Sequence, residues 1–368
     1  MVVYAFGFNA LHQTRPTATP HHSVAVFAPE KLQNIRRIVQ CFADNTLALT
    51  DGDKLVFWGF DPQTKSVVST PTSFGKFGHR KLKCVYGNGT SVIGAVDEEG
   101  RVWECSLAEL KNDAAIIMED ISDIAYRGMD DVVVAIDGTG TLYTWTPQNP
   151  TPNTLVFPPS SSPTRFVHLS FFPSTPTSSH FLALNSSGTV YSWGSNRFGQ
   201  LGHGNLDFVA SPTPLEALQG IPVLRMACGM YHSAAITEGG DLYTFGWDSK
   251  GRLGIGAGGE EERNTALPQL AVFLDEEGGE MNEGINVVDV ACGAEHTVAV
   301  DGKYGQLGLA PPPSKHDSWH GNGFNIDAFR RHPFFGREQG RQVTGCVAGF
   351  WNTFVTVEEA EGSYVMST

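Results

Sequence analysis

The chain has 368 residues, of which 41 are Gly and 21 are Pro, and only 17% of the residues are charged. Gly and Pro are spread along the whole chain, which indicates frequent turns and excludes a protein built of long helices. The 25 Lys and Arg against 39 Asp and Glu give a formal net charge of −14. A protein that binds nucleic acid over its whole surface has the opposite sign.

The composition also indicates in which cellular compartment the protein is found. No stretch approaches the roughly 18 apolar residues of a membrane span, and residues 1–8 lack the basic start and cleavage site of a signal peptide. Six Cys are too few for a disulfide scaffold. We therefore expect an intracellular protein with no membrane contact and no direct contact with nucleic acid. We also expect a monomer, located in the nucleus, the cytoplasm or both.

A short unit recurs along the chain at intervals of about 40–50 residues. In each unit an apolar run leads to a turn with Gly, and a second apolar run ends at an aromatic residue. The aromatic residues are, in chain order, Trp58, Trp103, Trp145, Trp193 and Phe245. Two alternating apolar runs joined by such a turn predict a β-hairpin. Hairpins that recur with this period are typical of propeller blades.

Two further units complete the repeat. A sixth begins at residues 291–300, and a seventh is divided between residues 347–355 and residues 3–9, which resemble residues 190–196. Pairing strands from both ends of the chain removes an open sheet edge. The sequence therefore predicts an all-β fold, a seven-bladed β-propeller closed by N- and C-terminal strands in one blade. Residues 1–357 form this single domain in the prediction, and 358–368 form a tail.

The repeat motif resembles that of the regulator of chromosome condensation (RCC) repeat family. Its unit has a Cys-Gly pair, a His-Ser or His-Thr pair, an aromatic-Gly pair and a Gly-Gln-Leu-Gly turn. Residues 227–233 have the first two pairs, Phe245 and Gly246 the third, and residues 199–202 are Gly-Gln-Leu-Gly. The match is specific at residues 180–309 and 345–357, and weaker at 40–160.

The resemblance implies a binding protein rather than an enzyme, without a cofactor and without catalytic residues. The small single-propeller members look like partners of a Jumonji-type histone demethylase, which is the function we expect. Two alternatives remain open. The first is guanine-nucleotide exchange on a Ran-like small GTPase, and the second is the alpha-tubulin-suppressor type, which works with a small zinc-binding protein.

Three His residues occupy one repeat position. His180, His232 and His296 are equivalent, and Asn45 and Asn352 fill the position in two other units. Residues repeated once per blade are spread around the ring and cannot form one catalytic site, so we expect them to hydrogen-bond the backbone at a strand turn. We assign the same structural role to Trp193, Gly194, Gly199, Gln200, Gly202 and Gly246. Cys41, Cys228 and Cys292 also share one position, and no Cys spacing predicts a metal site.

The sixth unit is shorter than the others. His180 precedes Gln200 by 20 residues, whereas His296 precedes Gln306 by only 10. The loss corresponds to one strand and its turn, at about 3.3 Å per residue. Either this blade lacks a strand and exposes an edge, or the recorded sequence omits a short coding piece between Val300 and Asp301.

Three insertions exceed the repeat, at about residues 147–176, 258–284 and 309–341. The first is rich in Pro, Ser and Thr and predicts a flexible excursion. The second has the acidic residues Glu260, Glu261 and Glu262, which indicate either a solvated loop or an arm that meets a basic partner. The third mixes aromatic residues with Arg, as interface hot spots do: Trp319, Phe329, Arg330, Arg331, Phe334 and Phe335. The alternative is that Phe329, Phe334 and Phe335 pack the insertion onto the ring.

Overall fold

The structure is a computed structural model. It describes residues 1–7, 30–41, 45–52, 54–61, 65–73, 80–88, 91–104, 115–127, 131–155, 164–172, 179–249, 251–256, 263–274, 279–281, 284–303, 306–310, 329–331, 335–336, 340–350 and 352–359. Within these ranges no helix is long and apolar enough to cross a membrane.

The strands of the described residues form seven sheets, which we number I to VII in chain order. Sheet I contains β3 (Ile35–Cys41), β4 (Asn45–Thr50), β5 (Leu55–Asp61) and β6 (Ser66–Ser73). Sheet II contains β7 (Leu82–Asn88), β8 (Ser91–Asp97), β9 (Val102–Glu104) and β10 (Ala115–Met118). Sheet III contains β11 (Ile121–Arg127), β12 (Val132–Asp137), β13 (Leu142–Thr146) and β14 (Asn149–Thr154). Sheet IV contains β15 (Phe166–Phe171), β16 (His180–Asn185), β17 (Val190–Gly194) and β18 (Val209–Pro214).

Sheet V has the same consecutive strand order, whereas sheets VI and VII depart from it. Sheet V contains β19 (Val223–Cys228), β20 (His232–Thr237), β21 (Leu242–Asp248) and β22 (Arg263–Leu270). Sheet VI contains β23 (Phe273–Leu274), β24 (Val287–Cys292), β25 (Thr297–Asp301), β26 (Gln306–Ala310) and β27 (Phe329–Arg331). Sheet VII contains β28 (Arg341–Ala348) and β29 (Asn352–Glu359) together with β1 (Val2–Gly7) and β2 (Glu30–Leu32).

The five predicted hairpins are confirmed as the second and third strands of sheets I to V, all antiparallel. Side chains in the turns hold them closed. In sheet IV the Asn185 Oδ1 atom accepts hydrogen bonds from the backbone N–H groups of Ser187 (3.1 Å) and Thr189 (2.8 Å). This is the local bonding that favours Asn and Asp in turns.

The first strand of each sheet lies innermost. Each contacts the first strand of the next sheet, in the order β3, β7, β11, β15, β19, β24, β28 and again β3. Buried clusters fill the space between neighbouring sheets. The all-β propeller predicted from the sequence is thereby confirmed.

The fourth strands lie outermost and have an exposed edge. Four of them contain Pro: β6, β14, β18 and β22. Pro is compatible with an edge strand, where no partner needs its missing N–H, and it discourages pairing with another chain. The prediction of a flexible excursion at 147–176 is therefore wrong in part, because this Pro-rich range contains β14 and β15.

Sheet VI replaces the strand that the short unit lacks. Residues 306–310, which begin with the Gln306 that lies only 10 residues after His296, form β26 and pair with β25. β27, from the third insertion, pairs with β26, and β23 adds to β27 in parallel. The described residues thus give this sheet five strands, and the edge expected from a missing strand is covered.

Sheet VII joins the two ends of the described chain. β1 lies between β29 and β2, with Val3 opposite Thr356 and also opposite Leu32. The Tyr4 hydroxyl donates a hydrogen bond to Glu359, and Lys31 Nζ lies 2.8 Å from Glu359 Oε2. Burial and the neighbouring Glu359 carboxylate raise the pKa of Tyr4 to about 12. β29 extends to Glu359, two residues beyond the predicted boundary of the tail.

Replacing Phe354 tests the packing of this joint. The Phe354 ring is 1% exposed and packs with Val3 and Trp58 between sheets VII and I. We expect Phe354→Ala to lower the free energy of unfolding by about 3–5 kcal/mol, because a large buried ring is removed. Urea titration measures the change. Phe208→Ala, at a ring that is 64% exposed, is the matched control, with an expected change within about 0.5 kcal/mol. Equal effects of the two substitutions would contradict the assigned packing.

Candidate protein-interaction surface

The repeated His residues connect neighbouring sheets. His180 Nε2 lies 2.7 Å from Ser233 Oγ in sheet V, and His232 Nε2 lies 2.9 Å from Thr297 Oγ1 in sheet VI. His296 Nε2 lies 3.0 Å from Thr353 Oγ1 in sheet VII. In each case the partner of the Nε2 atom is a hydroxyl of the following sheet.

The hydroxyl groups that contact the His rings also hydrogen-bond to the backbone. Ser233 Oγ donates to the Gln200 carbonyl at 2.8 Å, and Thr297 Oγ1 donates to the Arg252 carbonyl at 2.6 Å. Because each hydroxyl has one hydrogen, it must accept from the His ring, whose Nε2 atom carries the other hydrogen. The two bonds together connect a sheet, the next sheet and the loop between them.

The His232 and His296 rings are neutral at physiological pH. Burial, and then the positive charge of Arg252, lower the pKa of His296 to about 4. Burial and Arg252 likewise hold the pKa of His232 well below its usual value. A neutral His that donates from Nε2 to a hydroxyl serves to join sheets.

The Gly-Gln-Leu-Gly segment of sheet IV forms a tight loop after β17. Gly199 and Gly202 both have positive φ angles, 81° and 77°, and the Gly202 N–H donates to the Gly199 carbonyl at 3.0 Å. Gln200 is fully buried, and its Oε1 atom accepts from the Phe198 N–H at 2.9 Å. The loop is therefore a structural part of the repeat, as its residue types indicate.

The aromatic-Gly pair closes the third strand against the His position. Gly246 has a φ of 116°, and a Cβ atom there would lie 2.5 Å from the Tyr231 carbonyl oxygen. Gly194 occupies the same position in sheet IV with a φ of 105°. The preceding Trp193 is 4% exposed and stacks on Phe181, with ring centroids 5.1 Å apart. These residues pack the blade and present no surface.

Sequence reasoning missed a stack of side chains between sheets IV and V. The Trp247 ring stacks on Phe198 at 5.1 Å, and the Arg252 guanidinium lies 4.4 Å from the centroid of the Trp247 ring. Arg252 is 1% exposed and also donates to the Ala294 carbonyl at 2.9 Å. The signal in the sequence is that Arg252 stands where Gln200 stands one unit earlier.

Two of the predicted partner-contacting residues belong to the core. Phe329 and Phe335 are both fully buried; Phe329 stacks on Phe273 at 4.9 Å, and Phe335 packs edge-to-face on Tyr4 at 5.7 Å. A partner cannot reach these rings. Their prediction as partner contacts is corrected to the alternative, in which they pack the insertion onto the propeller.

The other predicted contacts are not brought together by the described residues. Arg330 and Arg331 lie in β27, where their backbones are opposite Leu309 and Gly308. Trp319, Phe334, Glu260, Glu261 and Glu262 lie outside the described residues.

The Cys residues are structural where they are described. Cys41, Cys228 and Cys292 are free thiols and buried, and burial raises the pKa of Cys228 to about 12. Protonated thiols of this kind are poor nucleophiles and poor metal ligands. Across the described ranges no group of three or more His, Cys, Asp or Glu side chains could hold a metal ion.

Sheets joined by an equivalent set of side chains define a β-propeller protein built from a sequence repeat. Residues 187–236 and 239–300 match the "Regulator of chromosome condensation (RCC1) repeat", and residues 223–252 match a second description of that repeat. The chain therefore contains RCC1 repeats, as its motifs predicted.

Known proteins with the same repeat are similar over part of the chain. RCC1 domain-containing protein 1 of Homo sapiens is 32% identical over 216 residues, which cover 49% of this chain and 54% of that protein. The chain thus spans about half the length of this relative.

Solved structures share the fold over nearly the whole chain. Human WBSCR16 superposes with a TM-score of 0.71 at 16% identity, covering 97% of this chain and 99% of that one. Prp20p from Saccharomyces cerevisiae, whose structure was described with its binding to Gsp1p and histones, superposes with a TM-score of 0.70 at 15% identity. It covers 98% of this chain and 92% of Prp20p. At these identities the likeness concerns the fold alone.

Removing the Thr297 hydroxyl tests the bond between sheets V and VI. Thr297→Val keeps the shape of the side chain but leaves the His232 Nε2–H and the Arg252 carbonyl without this partner. We expect the free energy of unfolding to fall by about 1–3 kcal/mol. Thr297→Ser keeps the hydroxyl and is the matched control, with a smaller loss. Urea titration measures both losses. Equal losses in the two variants would show that the Thr297 hydroxyl does not contribute to stability.

The lowered pKa of His296 predicts acid sensitivity. Between pH 6.5 and about 4 the unfolded chain binds a proton that the folded protein does not, so stability falls as the pH falls through this window. The loss is at most about 3 kcal/mol. His296→Asn, which places there the residue found at Asn45 and Asn352, removes this contribution. We expect thermal unfolding midpoints to fall less on acidification in the variant; parallel curves would exclude a role for His296.

Proposed function

We propose that this protein is a non-catalytic protein-interaction propeller, an adaptor or regulator of a partner enzyme. The observation that carries the proposal is that the repeated polar side chains form hydrogen bonds within the scaffold. His180, His232 and Gln200 are buried, and their polar groups bond to neighbouring strands and loops. Since these groups hold the scaffold together, recognition falls to exposed positions that vary between units, as is common on rigid scaffolds.

We also propose that the seven sheets are seven blades of one closed ring. The cyclic order of first-strand contacts supports this count, because it returns from β28 to β3. A contact across the ring supports it as well. The Phe172 and Phe350 rings, from the loops after β15 and β28, have centroids 5.1 Å apart, although two other sheets separate sheets IV and VII in chain order. Contact between sheets that are not neighbours is expected close to the central axis of a propeller, where the innermost strands of all blades converge.

The insertions remain our proposed contacts with the partner. In the acidic insertion these are Glu260, Glu261 and Glu262, and in the third insertion they are Trp319, Arg330, Arg331 and Phe334. A cluster of carboxylates speeds the encounter with a basic partner. Aromatic and Arg side chains typically supply the binding energy.

The partner class is proposed from the resemblance of the repeat motifs. The 32% identity to RCC1 domain-containing protein 1 supports the chromatin-linked group that the motifs resemble. We therefore propose a Jumonji-type histone demethylase as the partner, with the propeller located in the nucleus, the cytoplasm or both.

Charge reversal tests this proposal. We expect Glu260→Lys, Glu261→Lys and Glu262→Lys together to reduce recovery of a Jumonji-type demethylase with the tagged full chain. Glu98→Lys and Glu99→Lys, at exposed residues of another turn, provide the control for added positive charge. Equal recovery by wild type and triple variant would exclude the acidic insertion, and no recovery by wild type would exclude this partner.

The third insertion needs single substitutions rather than deletion, since deleting 309–341 would remove β27 and the buried Phe329 and Phe335 from the core. Trp319→Ala and Phe334→Ala are informative because they leave those rings in place. Phe208→Ala is the control for loss of an exposed aromatic ring.

Nucleotide exchange on a Ran-like GTPase is the second candidate. The shared fold with Prp20p, described with its binding to Gsp1p, favours it over other activities. The test is release of a labelled guanine nucleotide from a Ran-like GTPase. Acceleration by the full chain at catalytic concentration would place exchange ahead of the adaptor function, whereas unchanged release would exclude it.

A further inference from the structure

A bulge at the same place in every innermost strand creates a ring of exposed side chains. In each of the seven described sheets the first strand has an extra residue near its start relative to the second strand. β3 has a further extra residue at Val39, and β8 has one at Ile93. A bulge redirects side chains without ending the strand. The extra residues, from sheet I to sheet VII, are Arg36, Lys83, Ser122, Val167, Leu224, Val288 and Thr344. In the closed ring proposed above, these residues encircle one end of the ring axis, which we call the mouth.

The residue after each extra residue often bonds to the next sheet. Asp123 Oδ2 accepts from the Leu169 N–H at 2.7 Å, and Asp289 Oδ2 accepts from the Cys346 N–H at 3.1 Å. Arg37 Nη2 donates to the Lys83 carbonyl at 3.0 Å. These second positions therefore contribute to the scaffold. Two of the extra residues do so as well, because Lys83 Nζ donates to the Ser122 carbonyl and Ser122 Oγ donates to the Ile136 carbonyl at 3.1 Å.

Three consecutive extra residues are apolar and exposed. Val167 is 45% exposed, Leu224 58% and Val288 39%, in the neighbouring sheets IV, V and VI. Single exposed apolar residues need no explanation, but exposed apolar residues at equivalent positions of three neighbouring sheets indicate a candidate interaction site. We call these three residues the apolar arc.

Cations lie on the other side of the mouth. Arg36 and Lys83 are the extra residues of sheets I and II, both are exposed, and exposed Arg37 adjoins them. We call these three residues the cationic arc. Ser122 in sheet III and Thr344 in sheet VII separate the two arcs on either side. The mouth thus combines exposed apolar with exposed cationic side chains, since Arg225, the residue after Leu224, is exposed as well, in a chain whose net charge is −14.

We propose that this mouth docks an acidic amphipathic segment of a protein partner. Apolar side chains of the segment cover the apolar arc, and its carboxylates face the cationic arc. Charge complementarity selects an acidic segment, and a Lys- or Arg-rich segment would meet Arg36 and Arg37. The apolar arc favours a peptide over nucleic acid, which offers phosphates but no matching apolar side chains. The inference rests on the proposed protein-interaction function and assigns one contact face.

The test uses the full chain and a fluorescein-labelled peptide in which Leu and Glu alternate. Fluorescence anisotropy measures binding. We expect Leu224→Gln with Val288→Gln to weaken binding at least tenfold, and Arg36→Gln to weaken it severalfold in a salt-dependent manner. All three residues are exposed, so the variants retain the fold, which thermal unfolding checks.

Matched controls lie on outermost strands. Leu270 is 49% exposed and Val67 is 42% exposed, and we expect Leu270→Gln and Val67→Gln to bind the peptide as wild type does. A peptide of alternating Leu and Lys, and a single-stranded oligonucleotide, should bind at least tenfold more weakly than the Leu–Glu peptide.

Three results would overturn the inference: no binding of the Leu–Glu peptide by wild type, equal loss in mouth and control variants, or preferred binding of the oligonucleotide. Its failure is distinguishable from failure of the proposed function. If wild type recovers the demethylase and the Leu224→Gln, Val288→Gln variant recovers as much, the interaction function stands and this face is excluded.

Discussion

The hydrogen bond from a His ring to a hydroxyl of the next sheet is the contact on which this propeller depends most clearly. A sheet of four short strands has two faces to bury, so its stability comes from its neighbours. His180, His232 and His296 each join a sheet to the one that follows. The hydroxyls of Ser233 and Thr297 then tie the preceding loop to the same point, so that neighbouring sheets are held in register by side chains as well as by apolar packing.

This geometry explains why His is followed by Ser or Thr in the repeat. Successive residues of a strand point to opposite faces of the sheet. His232 therefore contacts sheet VI, while Ser233, the next residue, receives His180 from sheet IV. The period of the repeat identified these positions from the sequence. It did not identify the hydroxyl partner, because a pattern along one strand contains no information about the neighbouring sheet.

The irregular parts were harder to predict for a related reason. Aromatic rings beside Arg are typical of interfaces, but Phe329 lies in a unit that lacks a strand, and that shortage is filled by β26 and β27. Burial of Phe329 and Phe335 follows from this replacement, which depends on the whole sheet and not on local composition. The Pro-rich range at 147–176 misled for the opposite reason, since Pro excludes a central strand but is compatible with an edge strand such as β14.

Departures from the repeat are where chemistry specific to this chain accumulates. Ser192 and Thr244 bond loop carbonyls at equivalent positions of sheets IV and V, whereas sheet II has Glu104 there. Its buried carboxylate accepts from Tyr86 at 3.0 Å and from Trp145 of sheet III at 2.7 Å. Gly94 provides the space, because a Cβ atom at that position would lie 2.3 Å from the Tyr86 ring. Three linked differences, at Glu104, Tyr86 and Gly94, thus replace one hydroxyl and join two sheets by another set of hydrogen bonds.

The bulges are regular in their position and variable in their side chain. A bulge lies at the same place near the start of the first strand in every described sheet, while the extra residue changes from Arg36 to Leu224. A constant backbone with a variable side chain permits one ring to carry both apolar and cationic side chains without loss of the scaffold.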